Sequence, residues 1–133
     1  LTKIYDAAGI RIICAYIDDV YAVVEMLKTY KDLTVLEEKD YIKNPKPNGY
    51  RSYHIVFQTL LDIAGEKHPV NVEIQIRTIA MDFWASLEHQ MKYKKSIQNQ
   101  EMIVEELKRC ADEIATTDLN MQTIRNMING KEE

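Results

Sequence analysis

The stretch VNVEIQIRT, residues 70–78, alternates apolar and polar side chains without a break. Successive side chains of an extended strand point to opposite faces, so Val70, Val72, Ile74 and Ile76 share one face and Asn71, Glu73, Gln75 and Arg77 the other. The apolar set belongs against a core; the polar set faces outward, toward something polar. An ordinary solvent-facing strand shows the same alternation. A rigid strand is also a good platform from which an acid, an amide and a guanidinium can hold a metal ion and phosphate oxygens in fixed geometry. Glu73, Gln75 and Arg77 are therefore candidate site residues.

The neighbouring sequence builds a sheet with helices around this strand. YHIVFQTLL (53–61) reads as its upstream partner, returned by the turn DIAGEKHP (62–69). Downstream, Ile79, Phe83, Leu87 and Met91 fall four apart with Trp84 alongside, which predicts a helix over 79–95. GIRIICAYI (9–17) is nearly continuous in apolar residues, as expected of a central strand covered on both faces. DDVYAVVEMLKTY then offers Asp18 as an N-cap and Val20, Val23, Val24 and Leu27 at helical spacing. LTVLEEKDY (33–41) reads as a polar-edged strand. Near the end, Ile103, Leu107, Cys110, Ile114, Thr117, Met121, Ile124 and Ile128 recur in steps of four and three, a narrow seam of coiled-coil type. Such a seam wants a partner, either the domain's own helices or another subunit. A break near TTDLN (116–120) would divide it into two helices.

Composition narrows the functional classes. At 133 residues with 46% hydrophobic and 29% charged residues, the chain has enough apolar material for one ordinary core. Seventeen basic against twenty-one acidic side chains leave a net charge of -4, which supports no general attraction to nucleic acid or anionic membrane. An anion site must then be local. Between Lys39 and Arg51 the chain carries Lys39, Lys43, Lys46 and Arg51 against Asp40 alone, which suits a small polyphosphate better than a long polymer. Cys14 and Cys110 have neither ligand spacing nor disulfide density and read as core thiols in a reducing cytoplasm. No apolar run approaches the roughly 18 residues of a membrane helix, and no signal segment opens the chain. It begins at Leu1 and runs almost at once into a strand, so an upstream portion is expected.

The basic loop KPNGYRSYH (46–54) is the second chemical feature. Lys46 and Arg51 can neutralise phosphates, Asn48 can hydrogen-bond a base or ribose, and Tyr50 can stack on a base, with His54 within reach. The plainer reading is a solvated turn with Tyr50 and Tyr53 laid on the sheet. There is no G-x-x-x-x-G-K-[ST] and no G-x-G-x-x-G, so side-chain cations must do the work of a glycine-rich phosphate loop. Zinc-ligand spacing and a G-x-S-x-G nucleophile elbow are also missing. Asp6, just ahead of the first strand, can join Glu73 as a hard oxygen ligand of Mg2+, which is normally bound by one or two carboxylates plus substrate phosphates. Alone, it would serve as a cap or a surface charge.

Taken together, DAAGIRIIC, KDYIKNPKPNGYRSYH, VEIQIRT and MDFWASLEHQMKYK resemble, in order, spacing and residue type, the RelA/SpoT family of guanosine polyphosphate synthetases. The similarity covers about Asp6 to Lys94 and is to the small, synthetase-only branch. It implies an α+β fold, a mixed β-sheet of nucleotidyltransferase-like type flanked by helices, with C-terminal helices. It further implies a synthetase domain over 1–95, an oligomerisation segment over 96–133 and a homotetramer. The implied reaction moves pyrophosphate from ATP to the 3'-hydroxyl of GTP or GDP, giving pppGpp or ppGpp and AMP.

At matching positions the resemblance implies that Asp6 and Glu73 hold Mg2+, with Glu73 also activating the acceptor hydroxyl. Tyr50 would stack on guanine, Lys46, Asn48 and His54 would position the acceptor, and Arg11 would stack on adenine. Gln75 and Arg77 would support the same face. Lys39 stands where some long synthetases carry an acid. Two alternatives remain at this point: a catalytically weak guanine-nucleotide-binding or oligomerisation module, and another metal-dependent nucleotidyltransferase using the same carboxylates.

Overall fold

The structure is a computed structural model that describes residues 5–92 and 100–130, with side chains from Gly9 onward except that of Lys92. Seven elements follow one another: β1 (Tyr5–Cys14), α1 (Ile17–Lys28), β2 (Thr34–Asp40), β3 (Tyr53–Ile63), β4 (Glu66–Thr78), α2 (Ile79–Lys92) and α3 (Gln100–Ile128). The strands form one mixed sheet in the order β1-β4-β3-β2, with β1 parallel to β4 and the other pairs antiparallel. The residues that alternate in the sequence set its centre. β3 and β4 pair from Tyr53 opposite Ile76 to Ile63 opposite Glu66. A two-residue turn closes them, with positive φ at both Ala64 (53°) and Gly65 (84°), the handedness that matches strand twist.

One face of the sheet is the core. Tyr53, Ile55, Phe57, Ile74 and Ile76 are buried there, and α1 covers them with Val20 and Val24, four apart on one helical stripe. Each such aliphatic side chain contributes about 1.5–3 kcal/mol through burial. Two polar pairs edge this layer: the Tyr21 hydroxyl donates to Asp40 Oδ2 (2.8 Å), and Tyr53 donates to Glu38, which Lys28 also pairs at 2.8 Å. These bonds, Lys28 foremost, hold the Glu38 carboxyl below its usual range.

Four expectations need correction. β1 lies at the edge of the four-stranded sheet rather than its centre, with Ile10 44% and Ile13 42% exposed. An apolar run alone does not distinguish a strand covered on both faces from one at an edge. Asp18 does not cap α1: the cap is Tyr16 without a side-chain bond, and the Asp18 N–H instead donates to Gln122 Oε1 of α3 at 2.9 Å. α3 is one continuous helix, because 100–128 contains neither glycine nor proline and the hydroxyls of Thr116 and Thr117 fold back onto the carbonyls of Asp112 and Glu113. Cys14 is buried as expected, but Cys110 is exposed.

The face that α3 turns inward is offset from the expected seam. Ala111, Asp118 and Gln122 are buried, whereas Cys110, Thr117, Met121, Ile124 and Ile128 are exposed. α3 packs on α1 and α2 and crosses the end of the sheet where β3 begins and β4 ends. The expected boundary between residues 95 and 96 lies outside the described residues, as does the predicted helix beyond Lys92.

Candidate functional site

The opposite face of the sheet is open, and strand register decides what stands on it. Arg11, Gln75, His54 and Lys39 follow one another in a row across β1, β4, β3 and β2. The adjoining row is Gly9, Glu73, Val56 and Glu37. Gly9 leaves open space beside Glu73, since a Cβ there would meet nothing within 4 Å. Glu73 is accordingly exposed, in a cleft of about 180 Å³ that Gly9, Ile10, Arg11 and Gln75 also line. Glu73 and, in part, Asn71 and Gln75 are thus turned outward, whereas Arg77 is buried at the end of the strand.

The basic loop closes one end of this face and is held in a single shape. The Tyr41 N–H donates to the Ser52 carbonyl (2.9 Å) across its neck, and within it Lys46 and Tyr50 pair (3.1 Å). Asp40 Oδ1 accepts the N–H groups of Ile42 (2.9 Å) and Lys43 (3.0 Å) at the loop's entry. Asn48 Oδ1 accepts the Tyr50 N–H at 3.0 Å, so part of this side chain shapes the turn rather than facing a ligand. Gly49 adopts φ +101°, a conformation L side chains rarely take, against α3: a Cβ there would lie 2.6 Å from the Ala111 Cβ.

The loop delivers Tyr50 onto the open face beside the strand residues. The Tyr50 hydroxyl accepts from Arg77 Nη2 (3.2 Å) and lies 2.9 Å from His54 Nε2. Arg77 can only donate, so the phenol oxygen accepts on that side, and its bond to His54 runs in whichever direction the imidazole tautomer sets. The Tyr50 ring meets Tyr41 and His54 edge-on, at 6.2 and 5.6 Å between centroids. Lys46 Nζ sits 5.2 Å and Arg77 Cζ 5.7 Å from its centre. Arg77 also reaches Gln75 and Asp82, the latter at 3.4 Å, and the Asp82 carboxylate in turn takes Arg11 Nη1 at 3.3 Å.

This concentration of cations makes His54 reluctant to protonate. Burial, then Arg77, Lys46 and Lys39, push it from the usual 6.5 down to about 4. The unfolded chain takes up this proton near 6.5 and the folded chain only near 4, so the stability involved is whole above pH 6.5 and is lost as pH falls toward 4. His54→Gln should therefore flatten the fall of the urea midpoint between pH 6.5 and 4. An acid limb as steep as the parent's would contradict the assignment.

Of the expected site residues, Arg11, Lys46, Tyr50, His54, Gln75 and Arg77 stand together with Glu73 on one face. Asp6 lies in β1 opposite Asn71, a register position two residues along β4 from Glu73; its side chain lies outside the described residues. Arg51 is the correction. It is 8% exposed and turned away from the open face, with Nη2 3.1 Å from Asp118 Oδ2 of α3. Directed into α3, its guanidinium does not reach a ligand on the open face. Sequence reasoning also missed Tyr41 and Asp82. The signal for Asp82 was its place in the first turn of the helix after Arg77, which folds it back over the strand end. Among the described residues no three His, Cys, Asp or Glu side chains gather into a complete metal cage. A single exposed carboxylate, Glu73, is compatible with Mg2+, which draws most of its ligands from water and substrate phosphates.

Comparison with known proteins shows the family and the fold. Residues 1–98 match the family model described as a region found in RelA / SpoT proteins. The GTP pyrophosphokinases YwaC and YjbM of Bacillus subtilis are 50% and 46% identical over 82% and 92% of this chain. The matches span 52% and 58% of those two proteins, so the chain covers little more than half of their length. Among solved structures, small alarmone synthetase 2 of B. subtilis aligns over 92% of this chain and 67% of its own, with TM-score 0.84 and 46% identity. Small alarmone synthetase 1 of B. subtilis, bound to its product pppGpp, aligns over 94% and 64%, with TM-score 0.87 and 42% identity. With its open polar face, its tyrosine loop and a family match over nearly three quarters of its residues, this chain belongs to the RelA/SpoT family.

Proposed function

We propose that this chain carries the guanine-nucleotide side of a (p)ppGpp synthetase, which transfers pyrophosphate from ATP to the 3'-hydroxyl of GTP or GDP and releases AMP. The observation that carries the reading is the convergence of Tyr50, His54, Arg77 and Glu73, from a loop and two strands, on one open face. A small alarmone synthetase of the same fold has been solved with pppGpp bound, which supports guanosine polyphosphate as the ligand class.

The residues divide the work by chemistry. A guanine stacked on Tyr50 displaces the exposed Lys46 ammonium from over the ring and frees it for phosphate. His54, neutral at physiological pH, has one ring nitrogen engaged with Tyr50 and the other for the acceptor nucleotide. Arg77, buried and tied to Gln75, Asp82 and Tyr50, supplies fixed positive charge beneath the transferring group. Arg11, 59% exposed on the edge strand, presents a planar guanidinium for the ATP adenine. Glu73 takes the acceptor proton, and with Asp6 it would hold Mg2+, whose charge offsets that developing on the phosphates. Phosphoryl-type transfer asks for such positioning and charge neutralisation, not for a covalent nucleophile.

The exposed apolar side of α3, with Met121, Ile124 and Ile128, is the surface we assign to pairing with further copies in a homotetramer. No helix among the described residues is long and apolar enough to cross a membrane, and the cytoplasm, with its nucleotide pools and reducing conditions, is the compartment we assign.

The test is product mass after incubation with ATP, GTP and Mg2+. AMP and a guanosine carrying an added pyrophosphate are expected; a nucleotide adduct with free pyrophosphate would overturn the reaction. Tyr50→Ala should weaken GDP binding by roughly 1–3 kcal/mol, one stacked base, in calorimetric titration. Affinity within a factor of two of the parent would remove the stacking role.

A further inference from the structure

We propose that Asp118, on the C-terminal helix, is a positioning residue for guanine-nucleotide binding, so that α3 supports the site and does more than offer a surface to other copies. The inference rests on the nucleotide reading of the Tyr50 loop. Its basis is a pair of bridges between the same two points of the chain. On the open side, Arg77 Nη2 donates to the Tyr50 hydroxyl at 3.2 Å. On the buried side, the very next residues are joined through α3: Asp118 Oδ2 accepts Arg51 Nη2 at 3.1 Å and Thr78 Oγ1 at 2.7 Å. Tyr50 and Arg51 are adjacent, as are Arg77 and Thr78. One carboxylate oxygen thereby sets how far the loop stands from the end of β4, and with it where the Tyr50 ring lies relative to Arg77.

Two further contacts extend this hold. Thr78 Oγ1 also accepts the Met81 N–H at 3.2 Å, capping α2, whose first turn carries the Asp82 that fixes Arg77 and Arg11. Two to three turns earlier on α3, Gly49 lies on Ala111, and the Trp84 indole N–H is spent on the Leu107 carbonyl at 2.8 Å. The loop thus rests on α3 along its underside. Asp118 hydrogen-bonds Arg51 and Thr78, both buried, so its effect on ligands is indirect.

Two variants of the protein test this: Asp118→Asn, and the double replacement Arg51→Met with Asp118→Leu. The double variant exchanges a buried pair for apolar side chains of similar volume, which folds tolerate, while removing the directional bonds. GDP is the probe, titrated calorimetrically, and amide hydrogen exchange is followed without ligand. Both variants should bind GDP at least tenfold more weakly, with faster exchange at the amides of Lys46, Gly49 and Tyr50 and unchanged exchange through 70–76. A folded double variant that binds GDP within twofold of the parent overturns the proposal, as does a rise in exchange spread evenly over the fold. If the parent itself binds no GDP, the nucleotide reading has failed, and unchanged loop exchange in the variants then overturns the positioning claim separately.

Discussion

Glu73→Gln should lower turnover by a factor on the order of 10²–10⁴, the usual contribution of a positioned general base, while leaving the fold and GDP binding intact. The amide has the shape of the carboxylate, and Glu73 is exposed on a strand whose register is set by Ile74 and Ile76 on the other face. Stability should therefore move by no more than about 0.5 kcal/mol. What disappears is the negative charge in a cleft that Arg11 and Gln75 also line, and with it the proton acceptor and metal ligand proposed for this site. The check is AMP release at saturating nucleotides beside a urea melt. Unchanged turnover would remove Glu73 from the chemistry; lost turnover with a lowered midpoint would assign it a structural role instead.

Asp118→Ala should cost about 3–5 kcal/mol of folding stability, the penalty for stranding one partner of a buried ion pair. Arg51 and Asp118 have side chains only 8% and 5% exposed, so the orphaned guanidinium is left in an enclosed position. A domain of this size is stable by about 5–15 kcal/mol, so the variant should unfold at markedly lower urea. A change below about 1 kcal/mol would show that Arg51 reaches solvent when its partner is removed. The contrast with Glu73 is physical: the same functional group is dispensable to the fold on an open strand face and indispensable where two elements close over it.

The difference between those acids also marks what the sequence could disclose. The alternation of 70–78 identified the open face, because period-two patterning is local and directly reports which side chains are together. Lys46 and Tyr50 share one loop and His54 opens the strand that follows it, so local sequence already groups the three. Arg51 stands among cations in the sequence and reads as a phosphate partner, yet its own partner is 67 residues away on α3 and invisible to local pattern. Asp118 lies inside TTDLN, where a helix break is the expectation, but the two threonines return their hydroxyls to the preceding turn and the helix runs on. β1 was placed centrally because a run of isoleucines does not say how many neighbours it has. Only the parallel pairing with β4, on one side, resolves that.

The most direct test of the account is to titrate the labelled protein with GDP and follow backbone amide and His54 ring signals by NMR. The largest shifts are predicted at Lys46, Tyr50, His54 and Gln75, with Val20, Val24 and the exposed side of α3 unmoved. Shifts confined to α1 or α3, or none along the row from Arg11 to Lys39 at saturating GDP, would contradict it.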